Sequence, residues 1–242
     1  MSGARFELLE RLEGDHFWFG PRRKLTLGLL QQEVPARAAL LLDLGCGPGG
    51  ELAQWEAFAQ KVIGIDQHIT REPAHSKDEP CVLQGDVTCV PLEAESSDIV
   101  LLLDVLEHTD DRAALCEAHR VLKPGGVVLV SVPAHPWLWS ARDTGASHLR
   151  RYTRSTLKAR LEEAGFFTTR ILPYQFFLFP LVVVSRLLGK RASLPRDLED
   201  HPPAFVNALF SWVNRCEVQL TLRGVPVPTG SSFFAVARKP QD

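Results

Sequence analysis

An apolar run, Ala38-Ala39-Leu40-Leu41-Leu42, passes directly into Asp43-Leu44-Gly45-Cys46-Gly47-Pro48-Gly49-Gly50. Consecutive apolar residues of this length suit a strand buried on both faces, as in parallel sheets. Glycines straight after such a strand mark the turn at which an α/β sheet meets a nucleotide-like ligand. A side chain there would keep the ligand off the backbone, and the turn needs positive φ angles that other residues resist. This one junction points the chain toward an α/β fold.

The acid before the turn narrows the ligand. A dinucleotide pyrophosphate is anionic and sits on a helix N-terminus, so a carboxylate at Asp43, two residues before the first glycine, is poorly placed beside it. A ligand with an ammonium and a sulfonium centre attracts that carboxylate, which points to S-adenosylmethionine (SAM). Residues 61–66 form a second short strand ending in Asp66, about twenty residues past the turn, the spacing at which an acid meets ribose hydroxyls. A third strand, residues 81–84, leads to Gly85-Asp86-Val87, where Asp86 and the Val87 backbone are candidates for adenine. Asp43, Gly45 and Gly47 are candidates for the methionine end; Cys46, Gln67 and Leu103 complete the cofactor-binding set. Residues 97–104 read as a fourth strand, followed by Val105-Leu106-Glu107-His108 and a helix capped by Asp110 or Asp111. Lys123-Pro124-Gly125-Gly126 has the chemistry of a type II turn and leads into a fifth strand at 127–132.

Over roughly residues 38 to 133 this ordered set resembles the class I, Rossmann-like SAM-dependent methyltransferases. The resemblance implies a doubly wound, seven-stranded, mostly parallel sheet, with the last strand antiparallel between strands five and six. It implies SAM as cofactor and S-adenosylhomocysteine as product. His16-Phe17-Trp18-Phe19 with Arg22-Arg23, and Pro133-Ala134-His135-Pro136-Trp137-Leu138-Trp139, resemble a bacterial subgroup often found beside glycan and lipid assembly functions.

Composition bounds the function classes. With 242 residues, 45% hydrophobic and 23% charged, the chain can bury a full core and is not of a disordered type. A net charge of -2 provides no broad field for nucleic acid, which excludes a bulk DNA or RNA substrate on electrostatic grounds. Five scattered cysteines lack the paired spacing of a zinc or redox site and read as reduced thiols of a cytoplasmic protein. The charged amphipathic N-terminal stretch has no apolar core of signal-peptide type.

Alternation of strands and helices calls for helices on both faces of the sheet. Residues 155–164 predict a helix capped by Thr153 or Ser155 and stopped by Gly165, residues 166–174 strand six, and residues 232–237 the last strand. The expected organisation is a SAM-binding domain over 1–174 and 231–242, with an N-terminal helical lid over 1–37. Residues 175–230 are then a helical insertion before the last strand, starting on the ligand face as a cap or a membrane or partner contact. Within it Phe205, Leu209, Trp212, Cys216 and Leu220 predict an amphipathic helix packed on its neighbours, behind Pro202-Pro203. The apolar run at 176–184 is about half the roughly 20 residues a spanning helix needs. A buried or interfacial helix is expected, with peripheral membrane contact through 176–188 as one option.

Methyl transfer from a sulfonium is an in-line displacement with a neutral leaving group, so alignment and exclusion of water dominate and no metal is required. His108, close behind strand four, is a candidate general base for a hydroxyl or amine, or a histidine that fixes its loop. Trp18, Arg22 and Arg23 before the core, and Trp137, Trp139, His148, Arg151 and Tyr152 after strand five, are candidates for acceptor binding. The two tryptophans would form an apolar wall if their segment is extended, and the arginines would hold an anionic head group. Together they suit a small or lipid-linked acceptor methylated on oxygen, less favourably on nitrogen or carbon. The competing readings are an NAD-dependent Rossmann oxidoreductase and a non-catalytic module that binds SAM or S-adenosylhomocysteine. The sequence does not decide the oligomeric state.

Overall fold

The computed structural model describes residues 16–69, 81–189 and 202–241. Seven strands, β1 (Ala38–Leu44), β2 (Ala59–Asp66), β3 (Cys81–Gln84), β4 (Ser97–Leu103), β5 (Leu122–Pro133), β6 (Phe167–Tyr174) and β7 (Ser232–Arg238), form one sheet. Their order is β3-β2-β1-β4-β5-β7-β6. β1 to β5 pair in parallel, and β7 lies antiparallel between β5 and β6, as expected. The chain reverses its winding direction between β1 and β4, and ligands of such sheets bind in the crevice at the carboxyl ends there.

Alternate strand residues feed two cores. On one face Leu42, Leu44, Ile63, Val100, Leu102, Val128 and Val130 meet α3 (Asp111–Val121) and α5 (Arg154–Glu163) through Leu115, Ala118, Leu157 and Leu161. On the other, Leu41, Val62, Ile99, Leu101, Leu129 and Phe234 meet α1 (Phe19–Glu33), α2 (Leu52–Trp55) and α7 (Ala204–Leu222) through Leu25, Leu29, Trp55 and Val218. The remaining helices are α4 (Ala141–Gly145) and α6 (Phe179–Gly189). Asp110 caps α3 by accepting from the Arg112 and Ala113 backbone, and Thr153 caps α5.

Several boundaries differ from the sequence reading. β2 begins two residues early, at Ala59. β4 stops at Leu103, because Asp104 turns to φ 59°. β5 begins at Leu122, and the Lys123-Pro124-Gly125-Gly126 turn, with Gly125 at φ 79°, sits inside it as a bulge, since Ser97 pairs with Leu122 and Ile99 with Val127. The bulge is stitched on both sides: Lys123 Nζ donates to Asp98 (2.8 Å) and Gly125 N–H to the Lys239 carbonyl (2.9 Å). Residues 136–138 form a 3₁₀ turn, not an extended segment.

The largest correction concerns α7. The helix forms behind Pro203, but the first half of its predicted apolar stripe points outward: Phe205, Leu209 and Trp212 are 75%, 53% and 63% exposed, while Cys216 and Leu220 are half-buried. Ser211, Asn214, Glu217 and Thr221 are buried instead. Two of these, Asn214 and Glu217, together with the half-buried Asn207, satisfy loose backbone ends. Asn214 Nδ2 donates to the Phe17 carbonyl (3.0 Å), Asn207 Oδ1 accepts from Phe17 N–H (2.8 Å), and Glu217 accepts from Phe176 and Phe177 N–H (2.9 and 3.1 Å). Gly28 lets α7 close on α1, because a Cβ there would lie 2.3 Å from Leu222 Cδ1. Among the described residues no helix is long and apolar enough to cross a membrane.

Candidate active site

The glycine turn behind β1 is pinned to β2: Gly45 N–H donates to the Ile65 carbonyl (2.7 Å), and Gly45, Gly47 and Gly49 take φ of 81°, 57° and 86°. A Cβ on Gly45 would stand 2.4 Å from Val105 Cγ2, so the turn also needs glycine to let the segment after β4 approach. Asp66, at the end of β2, holds the turn from below. Its Oδ2 accepts from Gly47 N–H (3.0 Å) and its Oδ1 from His68 N–H (2.8 Å). Each carboxylate oxygen has a second lone pair, so these bonds leave acceptor capacity for ligand hydroxyls. Gln67 follows with an exposed side chain and its Nε2 3.1 Å from His68 Nε2.

Asp43 is buried, and Trp55 Nε1–H donates to its Oδ2 (2.9 Å). Burial pushes its carboxyl up to about 7 despite that bond. Asp86 is exposed behind β3, and its Oδ1 accepts from the Thr88 N–H and hydroxyl (both 2.8 Å), while Val87 turns inward. Leu103 ends β4, on the other side of β1, and is buried. Three acids thus stand at the carboxyl ends of β1 and β2 and just past β3, around a glycine turn at the reversal point of the sheet.

Asp104 ties the two halves of the sheet together. Its Oδ1 accepts from the Ser131 hydroxyl on β5 and its Oδ2 from Arg22 Nη1, both at 2.8 Å. Arg22 also donates to Glu51 Oε2 (3.0 Å), and with its side chain 9% exposed it is a buried strut from α1, not an open anion site. Arg23 stands 3.7 Å from Glu51 Oε1 and is more exposed. Trp18 stands just before α1, its ring edge-on to Tyr174 (6.0 Å between centroids).

On the acceptor side, the loop after β5 folds over the loop after β4. Leu149 N–H donates to the Glu107 carbonyl (2.7 Å) and Arg150 Nη1 to the Leu106 carbonyl (2.9 Å). This brings His108 and His148 edge to face, 4.7 Å between ring centroids. His148 Nδ1 lies 3.0 Å from Asp143 Oδ1, and Arg151 Nε donates to the same oxygen at 2.7 Å. Burial works to raise the Asp143 carboxyl, but these bonds and the Arg151 charge hold it well below the usual carboxylate range. Arg151 is therefore spent on Asp143 and the Ala134 carbonyl, and it does not form the expected head-group site. Tyr152 is buried as well, its hydroxyl donating to Asp111 Oδ2 (2.9 Å). The 3₁₀ turn separates the two tryptophans: Trp137 is 53% exposed against Phe179, and Trp139 is half-buried beyond the buried Leu138.

Glu51, Trp55, Asp104, Glu107 and Asp143 are site residues that the sequence reading did not single out. One had a local signal: Ser140 and Asp143 have capping-box spacing, and Ser140 N–H donates to Asp143 Oδ2 (2.9 Å).

Residues 42–130 match a family model described as a methyltransferase domain. This stretch is a class I methyltransferase domain. The chain is 32% identical over 161 residues to a probable S-adenosylmethionine-dependent methyltransferase of Mycolicibacterium smegmatis, covering 64% of this chain and 61% of that protein. It is 32% identical over 121 residues to a ubiquinone biosynthesis O-methyltransferase of a Bradyrhizobium species, covering 46% and 47%. The chain thus spans about three-fifths or less of these relatives' lengths. Among solved structures, the phosphoethanolamine N-methyltransferase 2 of Haemonchus contortus in complex with SAM aligns with a TM-score of 0.63 at 19% identity, over 99% of this chain and 58% of that one. At that identity the likeness speaks for the fold.

Proposed function

We propose that this chain transfers the methyl group of SAM to an oxygen, less favourably a nitrogen or carbon, of a small or lipid-linked acceptor. The observation that carries the reading is the set of three acids, Asp43, Asp66 and Asp86, around a positive-φ glycine turn where the sheet reverses. An anionic pyrophosphate would meet a carboxylate on each side there, whereas a cationic ligand with a ribose and an adenine finds acceptors for each part. Asp43 with Gly45, Cys46 and Gly47 takes the methionine end, Asp66 and Gln67 the ribose, Asp86 and Val87 the adenine, and Leu103 closes the site from β4. His108 stands behind β4 to orient the acceptor or receive its proton. Trp18, Arg23, Trp137 and Trp139 frame the acceptor side, with Arg22, Arg151 and Tyr152 holding that frame internally.

A lipid-linked acceptor is favoured by the apolar side chains that the insertion turns outward: Phe177, Leu181 and Val184 are each about half exposed, as are Leu209 and Trp212. We assign 176–188 and the outer face of α7 to contact with a bilayer or with the acceptor's apolar tail. All five cysteines are free thiols, which fits a reducing cytoplasm.

Calorimetric titration with SAM, S-adenosylhomocysteine and NAD tests the cofactor. Micromolar binding of the first two and none of NAD is expected; binding of NAD alone would overturn the reading in favour of an oxidoreductase. Transfer of labelled methyl groups to lipid and glycan acceptors then separates an enzyme from a binding module, which would take the cofactor and transfer nothing.

A further inference from the structure

Glu107 is only 2% exposed, and its Oε2 has no hydrogen-bond partner. Buried carboxylate oxygens are normally paired, because dehydrating them otherwise costs several kcal/mol. What stands near this carboxylate is a pair of imidazoles: one ligand atom each from Glu107, His108 and His148 lies within 4.8 Å of the other two. The His148 ring is already oriented as a ligand would be. Its Nδ1 faces Asp143 Oδ1 at 3.0 Å, which places the proton on Nδ1 and the lone pair on Nε2. Asp143 is itself fixed by Arg151 Nε and by Ser140 N–H. A carboxylate behind a histidine in this way is the usual outer support of a metal-binding imidazole.

We propose that Glu107, His108 and His148 form a binding site for a divalent first-row transition cation, zinc or manganese in type, that holds the acceptor's oxygen. Two imidazoles and one carboxylate with an open position suit a metal that also takes water or substrate. Donors around a tetrahedral zinc at about 2.1 Å lie roughly 3.4 Å apart. The three groups therefore close by at most about 1.4 Å on loading, within reach of side-chain rotation.

The catalytic consequence rests on the methyltransferase reading; the site itself does not. A bound cation lowers the pKa of an acceptor hydroxyl. The hydroxyl proton leaves to solvent, the oxygen lone pair forms the C–O bond, and the C–S bond breaks with its electrons passing to sulfur as neutral S-adenosylhomocysteine. His108 then acts as a ligand rather than as the base, and the proton that the cation acidifies goes to solvent.

The test uses the full chain stripped with a chelator and titrated with Co²⁺, followed by visible absorption, and with Zn²⁺, followed by calorimetry. S-adenosylhomocysteine is titrated in parallel. One cobalt per chain is expected, with a spectrum free of thiolate charge transfer. Affinity falls at least about a hundredfold in His148→Ala and Glu107→Gln and about ten- to hundredfold in Asp143→Asn, while S-adenosylhomocysteine affinity holds and certifies the fold. No binding of either ion at hundred-micromolar concentration, or equal binding in all three variants, overturns the site. Cofactor binding without cation binding leaves the methyltransferase reading standing and removes this inference; cation binding without cofactor does the reverse.

Discussion

At the carboxyl ends of β1 and β2 and just past β3, the side chains that face the crevice come from the strands and their first turn residues. Beyond β4 and β5 they ride on two loops that hold each other through the Glu107 carbonyl and Arg150, the second loop being locked internally by Asp143 and Arg151. The first arrangement is local. Asp43 and Asp66 stand where their own strands end, and backbone amides of the glycine turn and of His68 hold Asp66 in place. The second is made of contacts between segments distant in sequence, with ion pairs buried among them. A region of the first kind loses ligand affinity when altered, and one of the second kind loses its shape.

The widest separation between them comes from Arg151→Ala. Removing the guanidinium takes the Arg151 charge away from the buried Asp143 and costs about 3–5 kcal/mol of stability by denaturant unfolding, with cofactor affinity of the folded protein retained. A fall in SAM affinity as large as the fall in stability would erase the distinction. Asp66→Ala reverses the pattern: SAM binds about ten- to hundredfold more weakly by calorimetry, corresponding to roughly 1.5–3 kcal/mol. Unchanged affinity in a folded variant would remove Asp66 from the ribose.

A smaller effect comes from pH. The Asp43 carboxyl, raised by burial to about 7 from its ordinary 3.8, favours the fold while protonated. Its stabilising share is complete below about pH 4 and is lost as pH rises through 7. The cofactor's ammonium favours the ionised form, so SAM affinity rises about tenfold between about pH 6 and pH 8 and then levels. Calorimetry in buffers of different ionisation heat should show proton release near pH 7. An affinity flat across this range would mean that Asp43 does not face the ligand's charge. Smallest of all, Trp212→Ser should change stability by no more than about 0.5 kcal/mol because its ring is exposed, whereas Asn214→Ala on the opposite face of α7 costs about 1–3 kcal/mol by thermal unfolding. Equal losses would restore the apolar face as the packed one.

These contrasts follow what was legible. Thr153 as a cap, Gly165 as a stop, and the glycine turn each depend on a few neighbouring residues, and they stand where the sequence places them. The inward face of α7 was misread because periodicity reports that a helix has two faces, and not which face meets a partner. Here the partner is the backbone at Phe17 and at Phe176-Phe177, which rewards polar side chains. Arg22 and Arg151 look like anion binders in one dimension; in three, Arg22 lies against Glu51 and Asp104 from other segments, and Arg151 against Asp143, which the fold of its own loop turns back onto it.

By itself, the sequence determined the strand and glycine-turn grammar, the acids at strand ends, and hence the α/β sheet and the crevice at its reversal point. Those depend on backbone preferences and residue types within a few positions. Only the tertiary structure decided which charges are internal struts, which face of α7 is wet, and that Glu107, His108 and His148 converge. Desolvation and pairing energies belong to groups brought together by the fold, and distance along the chain carries no record of them.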